Sequence, residues 1–483
     1  MKTSLPCGEQ TTFATFTPFT LVFTLAASLL VTAPAQACGS YLNQIDLKNL
    51  AERAVSGNPA EATPAISALR ARGAPGLAAF LAVHQEEIQR HVAAPPDFSL
   101  VRTNRTIDAR WERLSKALDT ISGQRDCAAS RLFWHTDLEE AKAAASASGK
   151  PILSLRLLGR LDEELSCANS RFFRTALYAN QEVSLALREH FVLHWQSVRP
   201  VPKITIDFGD GRKLERTITG NSIHYVLTAD GRPIDALPGL YGPKAFLRGL
   251  LRAEATAKHF AALATDERED FLRAYHQERL AAIKAEWNND LTKVGPSPAT
   301  TSSLSSATLS VNDPSAAQAA AKITQGKRRI ELPVLEAMGT ANPGELEARM
   351  DDATWAKIAA LHSEDARLDQ GSRTLMAKKN PDALAADKRA LSKMIVEDPL
   401  VRAARQFERS MSEDTVRNEY LFHTKIHEWF ALALPQARDL AVLNEKVYTE
   451  LFLTPKSDPW LGLKPSDAYS ALDHDGVVTA ATP

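Results

Sequence analysis

No sign of charge dominates this chain. Lysine and arginine total 57 against 58 acidic residues, a formal net charge of −1 over 483 residues. Such a balance implies neither a nucleic-acid-binding surface nor an acidic tail. Cysteine is scarce, with Cys7, Cys38, Cys127 and Cys167 the only four. No P-loop, G-x-S-x-G, G-x-G-x-x-G or zinc-finger spacing occurs, which removes the nucleotide, serine-hydrolase and dinucleotide signatures. Haem attachment through C-x-x-C-H is excluded, and no cofactor is implied. Long apolar runs are missing as well. The longest, Phe19 to Val31, falls short of the roughly 20 residues a spanning helix needs.

What is present at the N-terminus is an address. Lys2 is the only basic residue of a long n-region, Phe19 to Val31 makes an h-region, and Ala35-Gln36-Ala37 offers an A-x-A cleavage site. We expect a signal peptide over 1–37 and export to the periplasm or the extracellular space. The mature chain then begins at Cys38. A cysteine directly after the cut also fits a lipid-anchored, membrane-bound lipoprotein, whose lipobox usually has Leu where Ala35 stands. Removal of Cys7 leaves three cysteines, an odd number for an oxidising compartment. A structural Cys38–Cys127 bridge leaves Cys167 as a thiol. The rival pairing joins Cys127 to Cys167 and makes Cys127 a distant resolving residue.

At this length two or three domains are expected. Residues 38–126 read as a helical N-terminal region, with apolar residues at helical spacing in LKNLAERAV and on the face Trp111, Leu114, Leu118, Ile121. Residues 253–292 read as one long charged helix or a helical pair. Residues 293–326, rich in Ser, Thr, Ala and Pro with almost no charge, read as a flexible linker. Residues 327–483 read as an all-helical C-terminal domain, with Asp398-Pro399 a helix start.

The intervening part, 127–252, is organised around Lys150 to Val192. A short apolar strand, Ile152 to Leu155, leads through a loop to Cys167 at a helix start. Ser166 is placed to cap that helix, and Phe172, Phe173 and Leu177 form its apolar face. A second helix around Val183 to Arg188 and a strand from Phe191 follow. Farther on, KITIDFGDGRKLERTI alternates Ile204, Ile206 and Phe208, turns at Asp210-Gly211 and returns with Leu214, Arg216 and Ile218, a hairpin pattern. The lead-in helix WHTDLEEAKAAASASGKP, the strand, the cysteine turn, NQEVSLALREHFVLHW and the closing strand–DG turn–strand into LPGLYGPKAFLRGLL follow one another along the chain. In that order residues 134–250, about a quarter of the chain, resemble a divergent thioredoxin-fold domain. The resemblance implies a thioredoxin-like α/β domain flanked by an N-terminal helical cap and a C-terminal all-helical domain. The family's Cys-x-x-Cys falls on Cys167-Ala168-Asn169-Ser170, so its second cysteine has become Ser170. Its preceding Trp is Ser166, and its cis-proline falls near Ser222, where no proline stands.

Cys167 is therefore the first candidate for chemistry. A helix N-terminus stabilises a thiolate. Ser170, Arg160, Arg171 and Arg174 are placed to help; Asp162, Glu163 and Glu164 oppose. A lone thiol can form a mixed disulfide but cannot release itself locally, which suits isomerase-like exchange with protein thiols or disulfides. The bland reading is an inert buried cysteine on a fold without redox activity. His224 lies in sequence near the position that faces the cysteine in the family, as a base or tuning group; a hydrogen-bonded strand histidine is the plainer reading, for it and for His194. His423 and His427, four apart, share a helix face and with Glu419 or Glu428 form a weak metal candidate, not the H-E-x-x-H pattern. Two functions follow: a monothiol disulfide exchanger acting through Cys167, or a non-redox scaffold that binds a partner protein of the cell envelope.

Overall fold

The segment ILSLRLL becomes a strand, β1 (Ile152–Leu158), with all seven residues buried, Ser154 and Arg156 included. That is the pattern of a central strand covered on both faces. A computed structural model describes residues 46–94, 108–217, 220–295, 352–379, 399–433 and 435–461. In it β1 lies inside a four-stranded sheet of order β2-β1-β5-β6. β2 (Val192–Arg199) runs parallel to β1, with Ile152 opposite Val192. β5 (Ser222–Leu227) runs antiparallel on the other side, Leu155 opposite His224. β6 (Pro233–Pro238) closes that edge, His224 opposite Leu237. The hairpin read from sequence forms a separate two-stranded ribbon of β3 (Lys203–Asp207) and β4 (Lys213–Thr217), Ile206 opposite Leu214. Gly209 and Gly211 hold its turn at φ 76° and 87°, where a side chain is strained.

Helices position this sheet. Taken in order, α1 (Pro59–Ala71), α2 (Ala74–Val83), α3 (Gln85–Ala93) and α4 (Ala109–Ser122) precede it. Asp108 caps α4 by accepting from the amides of Arg110 and Trp111, and Leu114, Leu118 and Ile121 are buried as the periodicity predicts. These helices share a core that includes Leu69, Phe80, Ile88 and Cys127. Arg70 ties it to the sheet region by donating to the carbonyls of Ile121 (2.9 Å) and Trp134 (2.7 Å). α5 (Leu138–Ser148) leads into β1. Between β1 and β2 run α6 (Ala168–Phe172), which continues as a π turn over Phe173–Leu177, and α7 (Gln181–His190).

After the sheet, residues 253–292 resolve as a helical pair: α8 (Pro243–Ala262) ends before α9 (Arg268–Val294) begins. The linker from 296 onward lies outside the described residues. α10 (Asp352–Leu361) and α11 (Gln370–Lys379) come next. α12 then runs from Pro399 to Ala431, with a π segment over Asn418–His423 in its middle. α13 (Leu440–Lys446) continues as a π turn, Val447–Leu451. Phe422, Ile426, Trp429, Leu443, Tyr448 and Leu451 from these last helices share one core with Leu155, Tyr225 and Leu237 of the sheet. The sequence reading places these two groups in different domains; packing makes them one hydrophobic body. Among the described residues no helix is long and apolar enough to cross a membrane. The signal peptide, Cys38 and its proposed lipid anchor lie outside them.

Candidate functional site

β1 delivers the chain to a loop that places Cys167 at the N-cap of α6, its amide 3.3 Å from the Leu158 carbonyl. Ser166 was the expected cap. Instead its hydroxyl lies 2.5 Å from that of Ser170, which also sits 3.2 Å from the Cys167 carbonyl, and no side chain caps the helix. Cys167, Ser166 and Ser170 are each 0% exposed. The arginines expected to favour a thiolate have other tasks. Arg160 grips Asp162 at 2.7 and 2.9 Å, and Arg171 donates to Thr217 Oγ1 at 2.9 Å. Arg174, almost fully buried, donates to the carbonyls of Leu161 and Glu163. Asn169 reaches Ser222 Oγ at 2.8 Å and so ties the cysteine helix to the start of β5.

His224 is buried on β5 and meets the Tyr178 hydroxyl at 2.6 Å through Nε2. The rings of Phe173 and Phe246 flank it at 4.7 and 4.9 Å. Burial lowers its pKa to about 3, so the ring is neutral, and Nδ1 has no hydrogen-bond partner among the described residues. Burial, then the Arg156 charge, does the same to His194, whose Nδ1 lies 2.9 Å from Ser154 Oγ. Tyr178, pushed well above its ordinary pKa by burial and then by the nearby Cys167, separates His224 from the role of a base on that sulfur.

The chain's own C-terminal segment packs beside this region. Tyr448 is pushed well above its ordinary pKa by burial and then by the nearby Cys167, and its hydroxyl donates to the Asn221 carbonyl at 3.2 Å. Asn221 Nδ2 reaches Thr454 Oγ1 at 3.2 Å. Arg199 at the end of β2 donates to the carbonyls of Asp458 (2.9 Å) and Thr454 (2.8 Å). Cys127 stands elsewhere, fully buried, its Sγ 3.6 Å from the Leu132 carbonyl and its thiol pushed up to about 12, chiefly by burial. Cys127 and Cys167 are both free thiols, so neither the distant-resolving-residue pairing nor the structural bridge from Cys127 to Cys38 is formed, Cys38 itself lying outside the described residues.

A second constellation lies at the other edge of the sheet. Asp235 on β6, His276 on α9, and His423 and His427 on α12 converge in the core, all buried. One ligand atom each of Asp235, His423 and His427 lies within 4.8 Å of the others. His423 Nε2 is 3.2 Å from Asp235 Oδ1, and its Nδ1 is 2.8 Å from Glu419 Oε2. His427 Nδ1 is 2.7 Å from His276 Nδ1. Tyr275 donates to Asp235 Oδ2 at 2.5 Å. Burial opposes a charge on His423, but the Glu419 charge and its bonds to Asp235 and Glu419 prevail and lift it to about 9. Burial likewise works against ionisation of Glu419, yet His423 brings it to about 2. Asp235 stays ionised well below the usual carboxylate range because His427 and His423 outweigh its burial. Burial pushes His427 well below its ordinary value, and His276 to about 4.

Of the metal candidates read from sequence, His423 and His427 meet here and Glu419 stands behind His423. Glu428 pairs with Lys425 at 2.8 Å instead. Asp235 and His276 were not foreseen. A signal for Asp235 exists in the sequence: an acid inside PIDALP, a strand otherwise without charge, needs a buried partner. His276, 151 residues from His427, gave none. In comparisons with known proteins, no family model, no curated protein and no solved structure matches this chain.

Proposed function

We propose that this is an exported protein whose thioredoxin-like α/β domain serves as a non-redox scaffold for a protein partner of the cell envelope. The observation that carries the reading is the complete burial of Cys167, at 0% exposure in the core. Exchange requires a thiolate to meet a disulfide sulfur in line, and a buried thiol meets none. Ser170 supplies no second sulfur, and His224 is neutral and committed to Tyr178. The strand order β2-β1-β5-β6, with helices on the β1–β2 crossover and after β6, supports the thioredoxin-like part of the reading.

Alkylation of the native chain with iodoacetamide, mapped by peptide mass spectrometry, tests it. Cys167 should react at least about 10³-fold more slowly than in urea, as a site that is exposed only by opening. Fast native alkylation, with a mixed disulfide trapped at Cys167, would establish the monothiol exchanger instead.

A further inference from the structure

We propose that His423, His427 and Asp235 bind one divalent transition-metal ion, with zinc the best match, through the two Nε2 atoms and a carboxylate oxygen. The assignment of atoms follows from what each residue already does. Nδ1 of His423 is held by Glu419 at 2.8 Å and Nδ1 of His427 by His276 at 2.7 Å. Nε2 is thereby the nitrogen each ring has left. Nε2 of His423 faces Asp235 Oδ1 at 3.2 Å. Nε2 of His427, on a fully buried side chain, has no hydrogen-bond partner among the described residues.

A proton alone does not explain this group. A charged His423 between Asp235 and Glu419 satisfies the two acids, but it leaves the buried nitrogen of His427 without a partner beside them. Buried polar atoms in folded proteins are almost always satisfied. A cation at the meeting point of the three donors satisfies all of them, and the proton on His423 Nε2 departs as the ion enters.

The supporting shell is that of a metal site. Ligating histidines usually hand their other nitrogen to a carboxylate or similar acceptor, which fixes the ring; ligating carboxylates are themselves hydrogen-bonded. Here His423 has Glu419, His427 has His276, and Asp235 has the Tyr275 hydroxyl at 2.5 Å. Two imidazoles and one carboxylate suit zinc and its first-row neighbours and not calcium or magnesium. His423 closes the π segment of α12, an irregularity that recurs at functional positions in helices. Because Asp235 belongs to edge strand β6 and both histidines to α12, the ion would pin the C-terminal helix to the sheet.

The test is metal binding by the full chain, stripped with a chelator, then titrated with Zn²⁺ or Co²⁺. One equivalent per chain should bind, with visible Co²⁺ bands of a tetrahedral nitrogen/oxygen site. Asp235→Asn and His427→Gln should each weaken binding at least a hundredfold, and Tyr275→Phe, which removes only a hydroxyl, about tenfold. His362→Gln, whose imidazole rests on Asp290 at 2.6 Å away from the cluster, should leave it unchanged. Failure of wild-type protein to bind one equivalent overturns the proposal, as does unchanged affinity in the Asp235, His427 and Tyr275 variants. Where Asp235→Asn or His427→Gln does not fold, the wild-type stoichiometry and Tyr275→Phe decide.

Discussion

Cys167 and His427 are both fully buried, but the surroundings treat them differently. Around Cys167 the polar atoms pair among themselves: Ser166 with Ser170, Arg174 with loop carbonyls, Tyr178 with His224. Around His427 charged groups from three elements point at one another: Asp235, Glu419, His423 and, at 3.5 Å from Glu419, Arg279. The first place keeps a reactive atom quiet by burying it among groups that bond to one another rather than to the sulfur. The second concentrates charge in a dry core, where each member depends on the others. The more familiar residue type thus marks the less polarised site.

Deleting one member should therefore cost far more at the second place. Asp235→Ala removes a carboxylate from a buried ionic group and leaves His423 and the Tyr275 hydroxyl facing a gap. We expect a loss of about 3–5 kcal/mol. Cys167→Ala removes one sulfur from packed core and should cost about 1 kcal/mol. Urea denaturation of both variants in the presence of a chelator measures the contrast free of any metal. Equal losses would mean that the Asp235 cluster is no more interdependent than ordinary core.

The comparison sharpens with pH. His224, on the Cys167 side, has its folded pKa lowered to about 3, against an ordinary value of 6.5. Between those values the unfolded chain binds a proton that the folded chain refuses. Its contribution to stability is thus present above about pH 6.5 and is lost as pH falls toward 3, with a slope of up to about 1.4 kcal/mol per pH unit. His224→Gln keeps an acceptor for Tyr178 but does not titrate. Its urea midpoint should fall less steeply than wild type between pH 6.5 and 4. Parallel slopes would mean that His224 is not held neutral in the fold.

How much of this was legible follows from distance along the chain. β1 announced itself by the short apolar run Ile152 to Leu155, the hairpin by period-two spacing around Asp210-Gly211, and α4 by Leu114, Leu118 and Ile121. Those are local signals. That Cys167 opens a helix was also local and visible, although its cap was misassigned, because Ser166 found a partner in Ser170 one turn on. Its burial was not visible. Tyr448 comes near it from far along the chain, and the bond that anchors the C-terminal segment, Arg199 to Asp458, spans 259 positions. Asp235 and His423 are 188 apart, and no spacing rule connects a strand acid to a helix histidine at that range.

The C-terminal segment near Cys167 gives the finest test, because it asks whether the quiet site is quiet by chemistry or only by access to it past that segment. Arg199 holds the C-terminal segment through two bonds, to Asp458 and Thr454. At about 0.5–1.5 kcal/mol each, Arg199→Ala should ease local opening by about 1–3 kcal/mol, roughly 5- to 150-fold in the open population. The alkylation rate of Cys167 under native conditions should rise by that factor. Cys127, under Leu132 and away from the segment, serves as the internal control and should keep its rate. A rise at Cys167 alone makes access the limit and the C-terminal segment a cover that opens on its own. Equal rises at both cysteines would report loosening of the whole fold, and no rise at either would mean that Tyr448 and the packing beneath it hold the segment without Arg199.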